Sequence, residues 1–292
     1  MAHCEQRSAE RSSGKKVQLF EMMRWISQPM FAPSKKLWTR LQHEDARVYC
    51  DRSRCESQTL SLDADLDFFN PVNLDRFVQM YWERWHFSGP TVHKATFDIN
   101  VAGTKTIFAF TLTRAFMSNE EADVAGARSW LDVAEELIFQ RPLLSEHPEA
   151  PDFQGGVMSL RDRLDLIRAA LLICVLQHWE GSEASRKRIR RSRLSSIIFA
   201  TREIGSGEAR HPSDLNLALR HVDWEEFILK QELIRTQTPI FLLDAEFMLF
   251  HNVPPRTGIA ELNFPFTCTV LCFEATNPDE LWAATDLDSG CY

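Results

Sequence analysis

Residues 224 to 262, WEEFILKQELIRTQTPIFLLDAEFMLFHNVPPRTGIAEL, constrain the fold more than any other stretch. Glu225 and Glu226 make an acidic first turn, Glu232 and Arg235 stand one turn apart, and from Ile240 to Phe250 the chain is apolar on nearly every face. A helix apolar all round has to be wrapped by protein. The run is too short for a membrane span, which takes about 20 apolar residues, and Asp244 and Glu246 interrupt it. It is therefore expected to be the central helix of an all-α core, stopped by Pro254 and Pro255. Pro239 removes a backbone donor and crowds the carbonyl of Arg235, so a kink or break is expected between Arg235 and Ile240. Asp244, a carboxylate on an apolar helix, needs a buried partner, and Arg114 or Arg168 on a neighbouring helix is the expected one.

Helical periodicity recurs upstream. From Asn73, Phe77, Tyr81, Trp82 and Trp85 fall at helical spacing, an aromatic stripe that suits a core better than a ligand cage. Glu120 to Gln140 carries Ala127, Trp130, Leu131, Ala134, Leu137 and Ile138 along one face. Ser159 and Asp162 form a capping box, opening a helix whose core face runs Leu160, Leu164, Ile167, Leu171, Cys174, Val175 and His178 and which ends at Gly181. Val101 to Met117 is in conflict: its Thr, Ile and Phe content suits a strand, yet its apolar residues do not alternate.

Residues 1 to 60 have weak periodicity and hold 11 Lys and Arg against 7 Asp and Glu, leaving 22 against 34, a balance of -12, for the rest. That segment is expected to be largely flexible and basic, with one short helix around Leu19 to Trp25. The formal net charge of -8 argues against nucleic-acid binding by the chain as a whole. The exception is Arg186, Lys187, Arg188, Arg190, Arg191 and Arg193, six cations in eight residues, which suit either a nuclear-import run or the solvated face of a helix packed through Ile189, Leu194, Ile197 and Ile198.

Metal and catalytic patterns fail on spacing. The polar N-terminus does not resemble a signal peptide, so the seven Cys are expected to be reduced thiols. Cys50 and Cys55 have no second pair near them, Cys268 and Cys272 lie beside an apolar stretch, and neither set makes a zinc module. Asp63, Asp65 and Asp67 alternate like calcium ligands but lack the Gly and distal Glu of such a loop. His86 and His93 flank Pro90 without a third ligand, and His93 is expected to make a structural hydrogen bond. Gly205 and Gly207 have no following Lys-Ser/Thr, and no Gly-x-Ser-x-Gly occurs. No catalytic residue, cofactor or metal is expected in this chain.

Three blocks in order resemble one family. Phe77 to Phe97 runs from an aromatic helix with Tyr81 and Trp85 into Pro90, His93 and a Thr96-Phe97 pair; Leu171 to Gly181 follows; then come Trp224, Glu232, Arg235, Thr236, Phe241 to Asp244, Pro254-Pro255, Glu261-Leu262 and Pro265. Together, over roughly residues 66 to 282, they resemble the fungal-specific transcription factor regulatory domain, the middle homology region of zinc-cluster and zinc-finger regulators. Tyr81, Trp85, His93, Phe97, Glu232, Arg235, Asp244 and Pro254 are the positions that carry the resemblance. It implies a buried helix at Val101 to Met117 and a helical domain over residues 61 to 283, between the basic segment and a tail at 284 to 292. It also implies RNA polymerase II transcription regulation in the nucleus, exerted through effectors, partner proteins or a dimer. The family's DNA-binding module is not in this sequence, and zinc is implied only where that module exists; no sequence-specific DNA binding is expected of the chain alone. A helical enzyme or accessory protein of a fungal metabolic gene cluster is the competing expectation, and would need convergent polar groups in the core.

Overall fold

The computed structural model describes residues 68–85, 89–99, 102–140, 143–144, 158–205, 223–258, 261 and 267–289. The basic segment 1–60, the Asp63 to Asp67 run and His86 lie outside them. The chain divides into two compact units, Met1–Val78 and Gln79–Tyr292. All regular structure among the described residues is helical, with no strand, and no helix there is long and apolar enough to cross a membrane. The all-α expectation stands.

In the first unit the chain enters α1 (Pro71–Met80) through Asn70, whose side chain accepts the Asn73 N–H at 2.8 Å. Pro at the first helical position loses nothing there, because that N–H would have no partner in any case. Phe68 lies edge-on to Phe69 at 4.8 Å and meets Phe77, nearly two turns into α1, at 5.6 Å.

The second unit is built on α2 (Thr104–Phe116), α3 (Glu121–Phe139) and α4 (Leu160–Glu180), which pack on one another. α2 is the helix where composition favoured a strand. It is buried on nearly every face, and its threonines fit because Thr111 and Thr113 donate to the Ile107 and Ala109 carbonyls four residues back, at 2.8 and 2.7 Å. α4 starts at the expected box, with Asp162 N–H on Ser159 Oγ at 3.1 Å and Ser159 N–H on Asp162 Oδ2 at 3.3 Å. It ends at Gly181, where a Cβ would run into the Gln177 carbonyl and side-chain amide.

α5 (Glu183–Arg188), a π-turn (Ile189–Arg193) and α6 (Leu194–Glu203) then follow without a gap. α7 (Trp224–His251) is 28 residues long, and the short α8 (Val270–Glu274) and α9 (Pro278–Ser289) close the described chain. Phe227 and Ile228 of α7 pack with Phe273 and Leu281 in a separate small cluster.

Two expectations for α7 are corrected. The helix is continuous through Pro239, with no break; flanking turns carry it across the single missing donor. It is also not the wrapped centre of the core: Leu242, Met248, Leu249 and Phe250 are exposed, the last by 76%. The wrapped helix is α4, which touches α2, α3, α6 and α7 and buries residues on every side from Leu164 to Gln177. Truncating a fully buried member such as Ile173 to Ala should cost about 2–5 kcal/mol. α7 ends just ahead of the Pro254-Pro255 pair expected to stop it, and the stop itself is made by Asn252 in the left-handed region (φ 52°), whose N–H donates to the Phe247 carbonyl.

Candidate functional site

The first half of α7 lays Glu232 and Thr236 against α4 and the segment around His93, while Gln231 and Arg235 meet the stretch around Cys268. Glu232 is fully buried and both of its oxygens are engaged. Oε1 accepts the His93 backbone N–H at 2.8 Å, while Oε2 meets Arg168 at 3.1 Å and Arg161 at 3.3 Å. Arg168, 2% exposed, also donates to Asp165 at 2.9 Å and to the Thr236 hydroxyl at 3.3 Å. A buried carboxylate is tolerable only when compensated in this way.

His93 makes the structural bonds expected of it. Nε2 lies 3.0 Å from the Ala275 carbonyl, so it carries the hydrogen, and Nδ1 faces the Thr96 hydroxyl at 2.9 Å. Burial holds its pKa below the usual histidine value. Tyr81, stacked on Phe110 at 3.9 Å, has its hydroxyl pushed up to about 12, first by burial. Phe97 also stacks on Phe110, at 5.8 Å. Tyr81, His93, Phe97, Glu232 and Arg235 are therefore gathered in one part of the molecule, while the Trp85 side chain lies outside the described residues.

Arg235 is compensated differently from Arg168. Its guanidinium lies 4.1 Å over the Phe273 ring and donates to the Cys268 carbonyl at 2.5 Å, and its Nε has no hydrogen-bond partner. Among the described residues no carboxylate pairs with it. Arg168 and Arg235 border a cavity of about 360 Å³, walled by Leu171, Leu172 and Val175 of α4 and by Pro239 and Leu242 of α7. Such a volume falls at the low end of the roughly 300–1,000 Å³ typical of small-molecule sites.

Asp244 and Pro254 lie elsewhere. The expected partners of Asp244, Arg114 or Arg168, are not its partners. It accepts the backbone N–H groups of Arg256 and Thr257 at 2.8 and 2.9 Å and the Arg256 side chain at 3.2 Å. The left-handed turn at Asn252 sends the exposed Pro254 loop back along the helix, so the partner arrives from twelve residues onward rather than from another helix.

The basic run is only partly solvated. Arg188 grips the fully buried Glu135 with two bonds, at 2.5 and 2.7 Å, and Arg193 reaches the same carboxylate at 2.9 Å. Residues five apart diverge by about 140° on an α-helix of 3.6 residues per turn. The π-turn, whose ladder joins residues five apart, returns Arg193 to the face of Arg188. Arg190 pairs with Glu183 at 3.3 Å and Arg186 donates to the Trp179 carbonyl at 3.0 Å; Lys187 and Arg191 are exposed and make no ion pair among the described residues. Glu135 was the residue the sequence reading passed over, although a carboxylate four residues from Leu131 and beside Ala134 on an apolar face was a signal for it.

Cys174, Cys268 and Cys272 are free, buried thiols; burial holds Cys174 well above its usual pKa and moves Cys268 to about 11. No group of three His, Cys, Asp or Glu among the described residues is placed to hold a metal ion.

Against known proteins, 218 residues, 75% of the chain, align at 36% identity with the transcription factor verF of Penicillium polonicum. The match takes in 30% of that protein, so the chain spans less than a third of the curated relative it matches. No protein-family model matches the chain. No solved structure matches it either.

Proposed function

We propose that this chain is a regulatory module of a fungal transcription regulator, working in the nucleus on RNA polymerase II transcription. The observation that carries the reading is the 36% identity over 218 residues with a protein named as a transcription factor. Supporting it, the residues that resemble the fungal regulatory domain, Tyr81, His93, Phe97, Glu232 and Arg235, converge around one compensated network. The surface charge is also unsuited to duplex DNA: the chain carries a net charge of -8, and the strongest basic run spends Arg188 and Arg193 on Glu135. The module then acts through a protein partner or a dimer and binds no specific DNA sequence by itself. Import rests on the exposed Lys187 and Arg191, with the basic segment before residue 60 as a second source of charge.

The test tethers residues 1–292 to a heterologous DNA-binding domain upstream of a reporter. A change in reporter output that needs the tether is the expected result. Unchanged output from both activatable and repressible promoters overturns the reading. Changing Lys187 and Arg191 to Gln should shift a fluorescent fusion toward the cytoplasm while leaving Glu135 clamped.

A further inference from the structure

The cavity between α4 and α7 has the composition of a binding site for an amphipathic anion. Two arginines line it, Arg168 and Arg235, both more than nine-tenths buried. Among the described residues only Arg168 has a carboxylate partner. Arg168 is met by Glu232 and Asp165, and Glu232 is saturated, because its other oxygen holds the His93 N–H. Arg235 has carbonyls and an aromatic face for partners, and its Nε makes no hydrogen bond. A buried cation without a counter-charge is costly, and an anion arriving there recovers that cost.

The remaining wall selects the rest of the ligand. Leu171, Leu172 and Val175 present hydrocarbon from α4, and Pro239 and Leu242 do so from α7. Thr238 and Leu242 are exposed, the latter by 57%, so the cavity opens to solvent on the α7 side. Pro239 also has a part in the geometry: it offers no N–H to the Arg235 carbonyl.

We infer that this cavity binds a small organic carboxylate, its carboxylate on the Arg235 guanidinium and its hydrocarbon body along Leu171, Leu172, Val175 and Leu242. A planar, forked donor suits a carboxylate, and the apolar walls exclude an ion with no apolar part. The inference rests on the cavity and not on the transcriptional reading, so a silent reporter and a failed titration are separate outcomes.

The experiment titrates the purified 292-residue chain with octanoate by calorimetry and thermal shift, with 1-octanol and inorganic phosphate as controls. Octanoate is expected to bind saturably at one site and raise the melting temperature; octanol is expected to bind at least about tenfold more weakly, since a hydrogen bond to a charged group is lost. Arg235→Met should reduce octanoate affinity by a similar factor while leaving octanol unchanged. Val175→Trp, which fills the cavity and keeps both arginines, should abolish octanoate binding, and it decides the matter should Arg235→Met not fold. Equal binding of octanoate and octanol, protection by phosphate alone, undiminished binding in Val175→Trp, or no saturable binding by the native chain would each overturn the inference.

Discussion

Two fully buried glutamates, Glu135 and Glu232, meet the same physical demand in different ways. Glu135 takes three hydrogen bonds from Arg188 and Arg193, whose side chains remain 35% and 18% exposed, and no unanswered charge is left beside it. Glu232 takes one ion pair from the 2%-exposed Arg168 and one from the half-exposed Arg161, and a third cation, Arg235, lies one turn further along α7 with no acid partner among the described residues. The first arrangement closes on itself and fixes α3 to the π-turn. The second leaves positive charge at the edge of an apolar cavity. The contrast separates a carboxylate that holds the fold from a network that can also recognise something outside it.

The largest effect should come from Glu232→Ala. Arg168 would lose its main counter-charge with almost no route to water, and breaking a buried pair in this way costs about 3–5 kcal/mol. Glu135→Ala should cost less, about 2–3 kcal/mol, because Arg188 and Arg193 can turn outward. Urea unfolding of both variants checks the order, and a greater loss for Glu135→Ala would erase the distinction drawn here.

Asp244 offers an intermediate case, since it combines two backbone donors with one arginine. Asp244→Ala should cost about 1–3 kcal/mol by orphaning the loop N–H groups, and Arg256→Ala about 1 kcal/mol, because those bonds survive it. A larger loss from Arg256→Ala would mean that its contacts to Ser195 and the Arg190 carbonyl, rather than Asp244, anchor the loop.

The smallest effects are those of pH. His93 is held below its ordinary pKa by burial, so the native state binds fewer protons than the unfolded chain near pH 6. Its contribution is complete above about pH 6.5 and is lost as pH falls toward the native pKa. Tyr81 acts in the opposite direction, with stability lost as pH rises from about 10 toward 12. Histidine NMR should place the His93 midpoint below that of an unfolded peptide, and Tyr81→Phe should remove part of the alkaline loss; a His93 midpoint at or above the peptide value would contradict this account.

How much of this was legible in the sequence depended on how local the determinant was. The Ser159–Asp162 box, the stop at Gly181, the stripe in α3 and the end of α7 ahead of Pro254 are set within a turn or two, and pattern reading found them, though not the cap at Asn252. The helix at Thr104–Phe116 followed from the family resemblance, because side-chain hydroxyls bonding back to the helix carbonyls leave no periodic trace. Of the kink or break expected between Arg235 and Ile240, the break did not occur: the helix runs on through Pro239. Pairings were least legible. Glu232 with Arg168 is 64 residues away in the chain, and Glu135 with Arg188 depends on a π-turn that redirects a neighbouring arginine. The cavity was invisible for the same reason, being made by the approach of α4 to α7.

The central claim, that Arg188 carries a charge a buried carboxylate answers and Arg235 one that no carboxylate among the described residues answers, is tested by unfolding Arg188→Met and Arg235→Met side by side in urea, without added ligand. Removing one partner of an answered pair leaves Glu135 short of a cation, so Arg188→Met should lose about 2–3 kcal/mol, whereas replacing an unanswered buried cation by a hydrophobe of similar reach should change stability by less than about 1 kcal/mol. Equal losses in the two variants would show that the fold depends on the Arg235 charge as much as on Arg188, and would contradict the account.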